Sequence, residues 1–325
     1  MKRCSIGGQA VMEGVMMKSE SGIAMAVRRA DGTIATQYTA QKSKAQKGTF
    51  FGLPIVRGVV AFVESLTVGM GAITKSAELY GEKIAEEPTR FEKYLSEKLG
   101  KSADNIAIGI AVIVAIAFSV GLFFLLPAAV SSLLFRGSTT AGVLKSITEG
   151  FVRLLLFLGY IIMCSLIKDV RRVFMYHGAE HKTIACFEAE EELTVENVSK
   201  HTRLHARCGT NYLFLVMAVS ILFYTLIGWN SSFLLRLGSR LLFLPIIAGV
   251  SYEVLKLASK SDGIIARIVR APGLGLQRIT TKEPTPDMIE VAIEAFNLAM
   301  APDKNNAATD GAVKANPSED VDPGL

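Results

Sequence analysis

Charged residues are scarce in this sequence, and their scarcity limits the class of protein. Only 20% of the 325 residues are charged, whereas 50% are hydrophobic. Ordinary soluble domains have about 25% charged residues, and the mean hydropathy of +0.37 departs from a soluble composition in the same direction. The composition therefore argues against a soluble protein.

Other familiar patterns are also missing. The four cysteines are scattered at positions 4, 164, 186 and 208, so they do not outline a disulfide framework. The 28 glycines have no regular period, and no heptad pattern persists, which excludes collagen and coiled coils. The net charge of +5 is small, and no basic stripe is interleaved with aromatic residues, so we predict no nucleic-acid partner. An integral membrane protein remains.

Long apolar runs are what the sequence does contain. The clearest run, residues 106–126, has no charge over 21 residues. At about 1.5 Å per residue, a helix of that length crosses a hydrocarbon core of roughly 30 Å. The sequence thus predicts a mainly α-helical integral membrane protein, with the lipid bilayer as its partner and about four transmembrane helices, at 106–126, 151–167, 212–228 and 241–257.

Two of these runs contain residues that are unusual inside a membrane span. Arg153 lies near one end of the second run, from where a long side chain can reach the interface. Pro245 interrupts the last run, so that segment could instead be a half-buried or re-entrant helix.

The distribution of loop charges predicts the orientation. Residues 168–207 contain seven Lys or Arg, whereas residues 127–150 contain only two. Because short cytoplasmic loops hold an excess of Lys and Arg, the 168–207 loop is predicted to face the cytoplasm. Four spans then place both termini in the cytoplasm, in a multi-pass protein of the cytoplasmic (inner) membrane.

The remaining segments complete the predicted organisation. Short strands at 23–27 and 33–38 flank a turn and predict a hairpin. Residues 53–73 are apolar but contain Arg57, Glu64 and three glycines, which favours an amphipathic helix on the membrane surface over a fifth span. The predicted domains are a cytoplasmic β-containing segment at 1–52, amphipathic and charged helices at 53–105, a membrane domain at 106–257 with a His-rich cytoplasmic loop at 168–210, a cytoplasmic segment with a helix near 286–300 at 258–301, and a disordered tail at 302–325.

All four histidines fall within a window of 29 residues, and the first two form the pattern His-x-x-Glu-His at 177–181. Apolar residues spaced every three or four positions upstream predict a helix with both histidines on its packed face. Two such imidazoles can bind adjacent corners of a tetrahedral Zn²⁺ site, while Glu180 activates water as a general base. The alternative is a helix that merely extends the second span, with two hydrogen-bonded core histidines.

The second histidine pair offers candidates for a third ligand. Thr194 can cap a short helix containing His201 and His205. Cys208 follows closely and is a soft ligand that suits zinc. Glu253, at the predicted cytoplasmic end of the last span, competes with it, although an ion pair with Lys256 or an arginine would explain this residue equally well.

The N-terminal run at 7–17 has too many glycines for a helix and too few charges for a surface loop. Its glycines permit close backbone approach to another element. Glu13 stands alone among apolar residues and could complete the metal site or bind a substrate. The simpler interpretation is a buried Glu13 paired with Arg28 or Lys18.

Five segments resemble the YqhQ family of uncharacterised multi-pass membrane proteins: GGQAVMEGVMM at 7–17, AVRRADGTI at 26–34, HGAEHKTI at 177–184, LTVENVSKHTRLHARCGT at 193–210 and GLGLQRITTKEP at 273–284. The resemblance covers nearly the whole chain except the tail. This sequence departs from the family pattern at Lys18 and Ser19, and at Ala206, where a proline is expected. The family is described as predicted metal-dependent enzymes, and the resemblance points to Glu13, His177, Glu180, His181, His205 and Cys208.

The leading hypothesis is a Zn²⁺-dependent hydrolase that acts on a membrane-proximal substrate at the cytoplasmic face. His177 and His181 bind the metal, Glu180 is catalytic, and His205, Cys208 or Glu253 completes the ligands. The rival is a non-enzymatic scaffold or accessory factor whose four protein ligands close a structural site. A transporter is disfavoured, because the predicted spans contain few ionisable residues.

Overall fold

A computed structural model describes residues 6–41, 48–81, 103–137, 142–205, 208–227, 232–261, 263–300 and 313–314. The chain divides into two compact units. The first contains Met1–Gly81, Ile161–Val216 and Pro245–Leu325, and the second contains Glu82–Tyr160 and Met217–Leu244. The predicted domain boundaries remain predictions.

An antiparallel sheet forms the N-terminal part of the first unit. Its strands are β1 (Gly7–Val11), β2 (Gly14–Lys18), β3 (Gly22–Arg28), β4 (Ile34–Ala40) and the two-residue β5 (Val313–Lys314), in that spatial order. The predicted hairpin corresponds to β3 and β4, which pair from Gly22 with Ala40 to Arg28 with Ile34. The predicted disordered tail lies, apart from β5, outside the described residues.

Both faces of the sheet are covered. On one face, residues such as Val15 and Met17 pack with α5 (Lys168–Glu188) and α10 (Pro286–Met300) in a buried core. On the other face, Met16 and Met25 pack with α1 (Val56–Tyr80). Because both faces are buried, β2 and β3 are continuously apolar and do not alternate.

Within the described residues, five helices are long and apolar enough to cross a membrane. This indicates a multi-pass membrane protein, but the count of five differs from the predicted four. The additional helix is α1, which sequence reasoning assigned to the membrane surface. The five candidate spans are Val56–Tyr80, Val112–Leu134, Gly142–Leu166, Gly209–Ile227 and Leu235–Lys260.

These spans belong to helices that run past the predicted limits. The first predicted span corresponds to α2 (Ala103–Val120), a single π-helical turn at Gly121–Leu125, and α3 (Leu126–Leu134). The others are α4 (Gly142–Leu166), α7 (Gly209–Ile227) and α8 (Phe233–Lys260). The last helix continues through Pro245, so a re-entrant break at this proline was a wrong expectation.

The second unit contains a group of buried charges that hydropathy alone did not reveal. Glu149 on α4 is 1% exposed and accepts a hydrogen bond from Arg153 at 2.7 Å, and it also pairs with Arg240 on α8. Arg153 also donates to the carbonyl oxygen of Phe123 at 2.8 Å. The sequence argument against transport counted Arg153 and Glu253 only, so it underestimated the ionisable residues of the apolar helices.

Two further elements complete the first unit. The short helix α6 (Val195–Lys200) begins at Thr194, whose hydroxyl accepts a hydrogen bond from the N–H of Asn197 at 3.2 Å, as predicted. It ends at Lys200, so His201 is its C-cap and His205 lies in the following loop. The prediction that both histidines lie on this helix was wrong. The amphipathic helix α9 (Ile264–Thr280) follows α8.

Candidate metal centre

The pattern at 177–181 lies on α5, as its periodicity predicts. The second half of this helix is packed under the sheet and α10, and His181 is 1% exposed. Gly178 permits this packing, because an added Cβ would lie 2.0 Å from the carbonyl oxygen of Lys282. The N–H of Lys282 in turn donates to the carbonyl oxygen of Phe174 at 2.8 Å. The glycine therefore serves close approach and does not mark a weak helix.

Hydrogen bonds to backbone carbonyls fix the tautomers of both histidines. His177 Nδ1 lies 3.0 Å from the carbonyl oxygen of Thr280, and His181 Nδ1 lies 2.6 Å from that of Arg203. A carbonyl oxygen can only accept, so each Nδ1 must hold a proton. Each neutral ring therefore has its lone pair on Nε2, the arrangement found in metal-binding histidines whose other nitrogen is held by a carbonyl.

Cys208 supplies a third donor. One ligand atom each of His177, His181 and Cys208 lie within 4.8 Å of one another, and the His177 Nε2 to Cys208 Sγ distance is 3.2 Å. The two imidazole centroids are 4.4 Å apart. Burial raises the pKa of the Cys208 thiol, whereas a bound cation would favour the thiolate.

Glu180 faces the same cluster but is not hydrogen-bonded like a structural carboxylate. It is 4% exposed, and its Oε2 has no hydrogen-bond partner among the described residues. Oε2 lies 4.0 Å from His177 Nε2. Burial raises the pKa of Glu180 to about 8, with the charge of Cys208 acting in the same direction and His177 and the Gly8 N–H opposing it.

The first strand closes over this carboxyl group. An added Cβ at Gly8 would lie 2.7 Å from the Glu180 carboxyl carbon, so only glycine allows β1 to approach so closely. The expectation that the glycine-rich run at 7–17 meets another element is confirmed here. Gly14 similarly approaches the carbonyl oxygen of Ala26 within β3.

His205 lies beside the three donors without joining them. Its ring centroid is 5.7 Å from that of His181, and its Nε2 lies 3.5 Å from Glu188 Oε2. Burial lowers the pKa of His205. Gln277 on α9 holds its backbone: the Gln277 side chain accepts from the His205 N–H at 2.8 Å and donates to its carbonyl oxygen at 2.7 Å.

Glu253 and Glu13 lie apart from the three donors, in ion pairs. Glu253 accepts a hydrogen bond from Arg57 Nε at 2.6 Å, which matches the arginine pairing that the sequence left open. Glu13, at the turn between β1 and β2, accepts from Arg172 Nε at 2.6 Å and from the Tyr176 hydroxyl at 3.2 Å.

The arginine that pairs with Glu13 differs from the sequence expectation of Arg28 or Lys18. Arg28 instead contacts Glu290 at 2.7 Å, and Lys18 contacts Glu64 at 3.3 Å. The local reason is that Glu13 has a φ of 48°, in a turn that places its carboxylate against α5.

Sequence reasoning missed the groups that hold the histidines of the centre through hydrogen bonds. Thr280 and Arg203 act through their carbonyl oxygens, which any residue type possesses, so no side-chain pattern identifies them. Gln277 lies in the segment GLGLQRITTKEP at 273–284, which contributed to the resemblance but received no role. The available signal for Gln277 was its amide side chain, which is buried close to the histidine pair.

The donors fit a zinc-type ion on two counts. Two neutral imidazoles and a thiol are the ligand types that Zn²⁺ prefers in proteins. The unpartnered carboxylate oxygen of Glu180 beside them also suits a ligand or water held at the same point, because an isolated buried carboxylate is costly.

Comparisons with known proteins agree on one family. Residues 53–302 match the family described as protein of unknown function (DUF1385). The uncharacterized protein YqhQ of Bacillus subtilis (strain 168) is 35% identical over 294 residues, which cover 90% of this chain and 91% of that protein. No solved structure matches the chain.

Proposed function

This chain belongs to the DUF1385 family, and we propose that it is a metal-dependent hydrolase, with a zinc-type centre at the cytoplasmic face of the membrane. The observation that supports this most strongly is the juxtaposition of one ring nitrogen each of His177 and His181 and a thiol with a buried carboxylate oxygen that lacks a hydrogen-bond partner in the described part of the chain. A bound divalent ion would supply Lewis-acid activation of water.

His177, His181 and Cys208 are the proposed ligands, with the His177 and His181 rings oriented by the Thr280 and Arg203 carbonyls. Deprotonating Cys208 for binding offsets part of the cation charge. His205 is the reserve ligand, since its ring centroid lies 5.7 Å from that of His181.

Glu180 is the proposed general base. Its position one residue before His181 places its carboxylate beside the ligands, and its Oε2 faces His177 Nε2 at 4.0 Å. A carboxyl group with a pKa near 8 exchanges protons readily at neutral pH, which is what acid–base catalysis requires. It would take the proton from the attacking water and return it to the leaving group.

The proposed substrate is membrane-proximal, because one helix joins the centre to the apolar surface. The first turn of α9 exposes Ile264, Ile265 and Ile268 by 66–76%, directly after the apolar helix α8. Its last turn supplies Gln277 and Thr280 to the centre. The twelve residues from Ile268 to Thr280 span about 18 Å at 1.5 Å per residue.

The topology that fits this location has four spans, with α1 on the membrane surface. One face of α1 packs on the sheet through Ala72 and Leu79, and Gly69 meets the side chain of Gln9. The opposite face exposes Leu66 and Met70 by more than half. A sheet beside α1 has polar edges that need water, so this half of the helix suits an interface better than a hydrocarbon core.

Both termini are proposed to be cytoplasmic. The support is the excess of Lys and Arg in residues 168–207 over residues 127–150. The sheet and α10 pack in one core of the first unit, which supports the proposal that the N-terminal and C-terminal segments share one side of the membrane.

The test of catalysis is Glu180→Gln, with Glu196→Gln as the matched control on an exposed surface. Glu180→Gln should bind as much metal as the unaltered protein but fail to complement a bacterial strain that lacks its own copy. Glu196→Gln should retain both metal and complementation, because Glu196 contacts Lys200 only at the surface. Metal content would be measured by mass spectrometry on detergent-purified protein.

A structural metal site in a scaffold is the second candidate, and the depth of burial favours it. His181 is 1% exposed and Glu180 is covered by Gly8, which suits a closed site more than an open one. If Glu180→Gln retains metal and complements fully, the hydrolase is excluded and the scaffold is the better account.

A further inference from the structure

A second group of metal-type donors lies at the far end of α5. One ligand atom each of Cys186, Glu191 and His201 lie within 4.8 Å of one another. Cys186 is in the last turn of α5, Glu191 is in the following turn, and His201 is the C-cap of α6. The group therefore joins three consecutive segments and shares no residue with the centre described above.

A left-handed turn brings Glu191 back beside Cys186. Glu190 has a φ of 63°, its N–H donates to the carbonyl oxygen of Phe187 at 3.0 Å, and the N–H of Glu191 donates to that of Cys186 at 3.3 Å. This is the Schellman pattern that ends helices, and glycine usually occupies its left-handed position. A glutamate in this left-handed conformation is strained, so contacts with the surrounding residues must hold the turn.

The donor atoms are spaced for one ion. His201 Nε2 lies 3.2 Å from Glu191 Oε2. Around a tetrahedral Zn²⁺ with bonds of about 2.0–2.3 Å, neighbouring ligand atoms are about 3.3–3.8 Å apart. Small side-chain adjustments would bring all three atoms to that spacing. Thiolate, imidazole and carboxylate are all established zinc ligands.

The local charge attracts cations and leaves a route for entry. Four glutamates occur within residues 188–192, and such an excess of one sign raises the local concentration of counter-ions. The side chain of Glu191 is 47% exposed and that of His201 is 19% exposed, while Cys186 is buried. An ion can therefore enter from solvent beside the exposed Glu191 carboxylate and then reach the buried sulfur of Cys186.

We propose that Cys186, Glu191 and His201 form a second metal site for Zn²⁺ or a similar borderline divalent ion. Three protein ligands leave one tetrahedral position for water. The ion ties the end of α5 to α6, and so it holds the loop that leads to His205 and Cys208. The proposal does not depend on the hydrolase hypothesis, because it concerns different donors.

Cobalt titration of the full-length protein in detergent tests the proposal. Co²⁺ replaces Zn²⁺ in such sites, and its bond to thiolate gives a charge-transfer absorption band. We expect two equivalents in the unaltered protein, with one lost in Cys186→Ser and the other lost in Cys208→Ser. Cys164→Ser is the matched control, since Cys164 lies on the apolar helix α4 outside both groups, and it should retain both equivalents.

His201→Ala provides a second, more exposed change in case Cys186→Ser does not fold. It should lose the same equivalent and lose the rise in melting temperature that this equivalent produces. Wild-type stoichiometry in folded His201→Ala or Cys186→Ser would overturn the proposal. If the first centre does not bind metal but the second site does, the unaltered protein should bind one equivalent. Cys208→Ser should keep that equivalent, and Cys186→Ser should lose it.

Discussion

Two histidines and a carboxyl group on one helix define the candidate centre at the scale of residues. His177 and His181 each use Nδ1 to donate to a backbone carbonyl, so both have their lone pair on Nε2, and that of His177 lies 3.2 Å from Cys208 Sγ. Ordinary core histidines also form such hydrogen bonds. What distinguishes this pair is the convergence of both rings, a thiol and an unpartnered carboxylate oxygen within the described structure.

The raised pKa of Glu180 predicts a pH dependence of stability in the metal-free protein. Its pKa is about 8 in the folded state, against an ordinary value of 4.5 for a glutamate side chain. The folded protein therefore holds a proton that the unfolded chain releases, and stability decreases as the pH rises from about 4.5 to 8, by at most about 1.4 kcal/mol per pH unit. Below this range the stability is fully retained.

Melting temperatures of metal-free wild type and Glu180→Gln, measured from pH 5 to pH 9, would check this dependence. The wild type should lose stability relative to the variant as the pH rises, with the difference levelling above pH 8. A difference that is constant across the range would mean that Glu180 titrates normally.

The sequence was sufficient to place His177 and His181 on the packed face of a helix, because spacing along a helix determines which side chains share a face. It was not sufficient to choose among His205, Cys208 and Glu253. That choice depends on which segments of distant sequence meet α5: Cys208 Sγ lies 3.2 Å from His177 Nε2, whereas Glu253 pairs with Arg57.

At the scale of elements, the centre depends on how closely α5 approaches the segment between α9 and α10. Gly178 is the contact point, and its missing side chain lets the carbonyl oxygen of Lys282 come near the helix. This segment follows Thr280, which orients His177. Packing and metal-ligand orientation are therefore linked through one glycine.

Gly178→Ala should destabilise the protein even though alanine favours helices. The helix-propensity gain is about 1 kcal/mol, but overpacking against a backbone oxygen costs typically about 1–3 kcal/mol. A lower melting temperature with reduced metal content is expected. Gly159→Ala, in the middle of α4 with open space around the added methyl group, is the matched control and should not lower the melting temperature.

The strands show where sequence patterns fail at this scale. The hairpin of β3 and β4 was predictable from its turn, but β1 and β2 were not assigned. Their glycines meet Glu180 and Ala26 closely, and both sheet faces are covered by helices. β1 and β2 therefore had neither the residue composition nor the alternating pattern by which strands are usually recognised in a sequence.

At the scale of the whole molecule, hydropathy predicted four apolar helices and left the segment that forms α1 ambiguous. The ambiguity has a physical origin, since α1 is apolar on two sides: one side contacts the sheet and the other exposes Leu66, Met70 and Ile73. Length and mean hydropathy do not distinguish a protein-facing side from a lipid-facing one. Accessibility to a reagent at the two ends of α1 does distinguish these two cases.

Single cysteines at Phe50 and Glu78, in a chain whose native cysteines are serine, would locate the two ends of α1. An interfacial α1 predicts that a membrane-impermeant thiol reagent labels both positions from the cytoplasmic side only. A cysteine at Arg136 should label only from the opposite side. Labelling of Phe50→Cys from that opposite side would show that α1 is a fifth span, because the end at Glu78 leads to the cytoplasmic start of α2 in either arrangement.

The most direct test of the account is the metal content per chain in purified Cys186→Ser protein, which lacks the second proposed site. After equilibration with Zn²⁺ and removal of free ion, we predict one ion per chain. The same protein with His177→Ala and His181→Ala should hold none, because two of three ligands are gone. Equal metal content in the two proteins would contradict a metal centre at His177, His181 and Cys208.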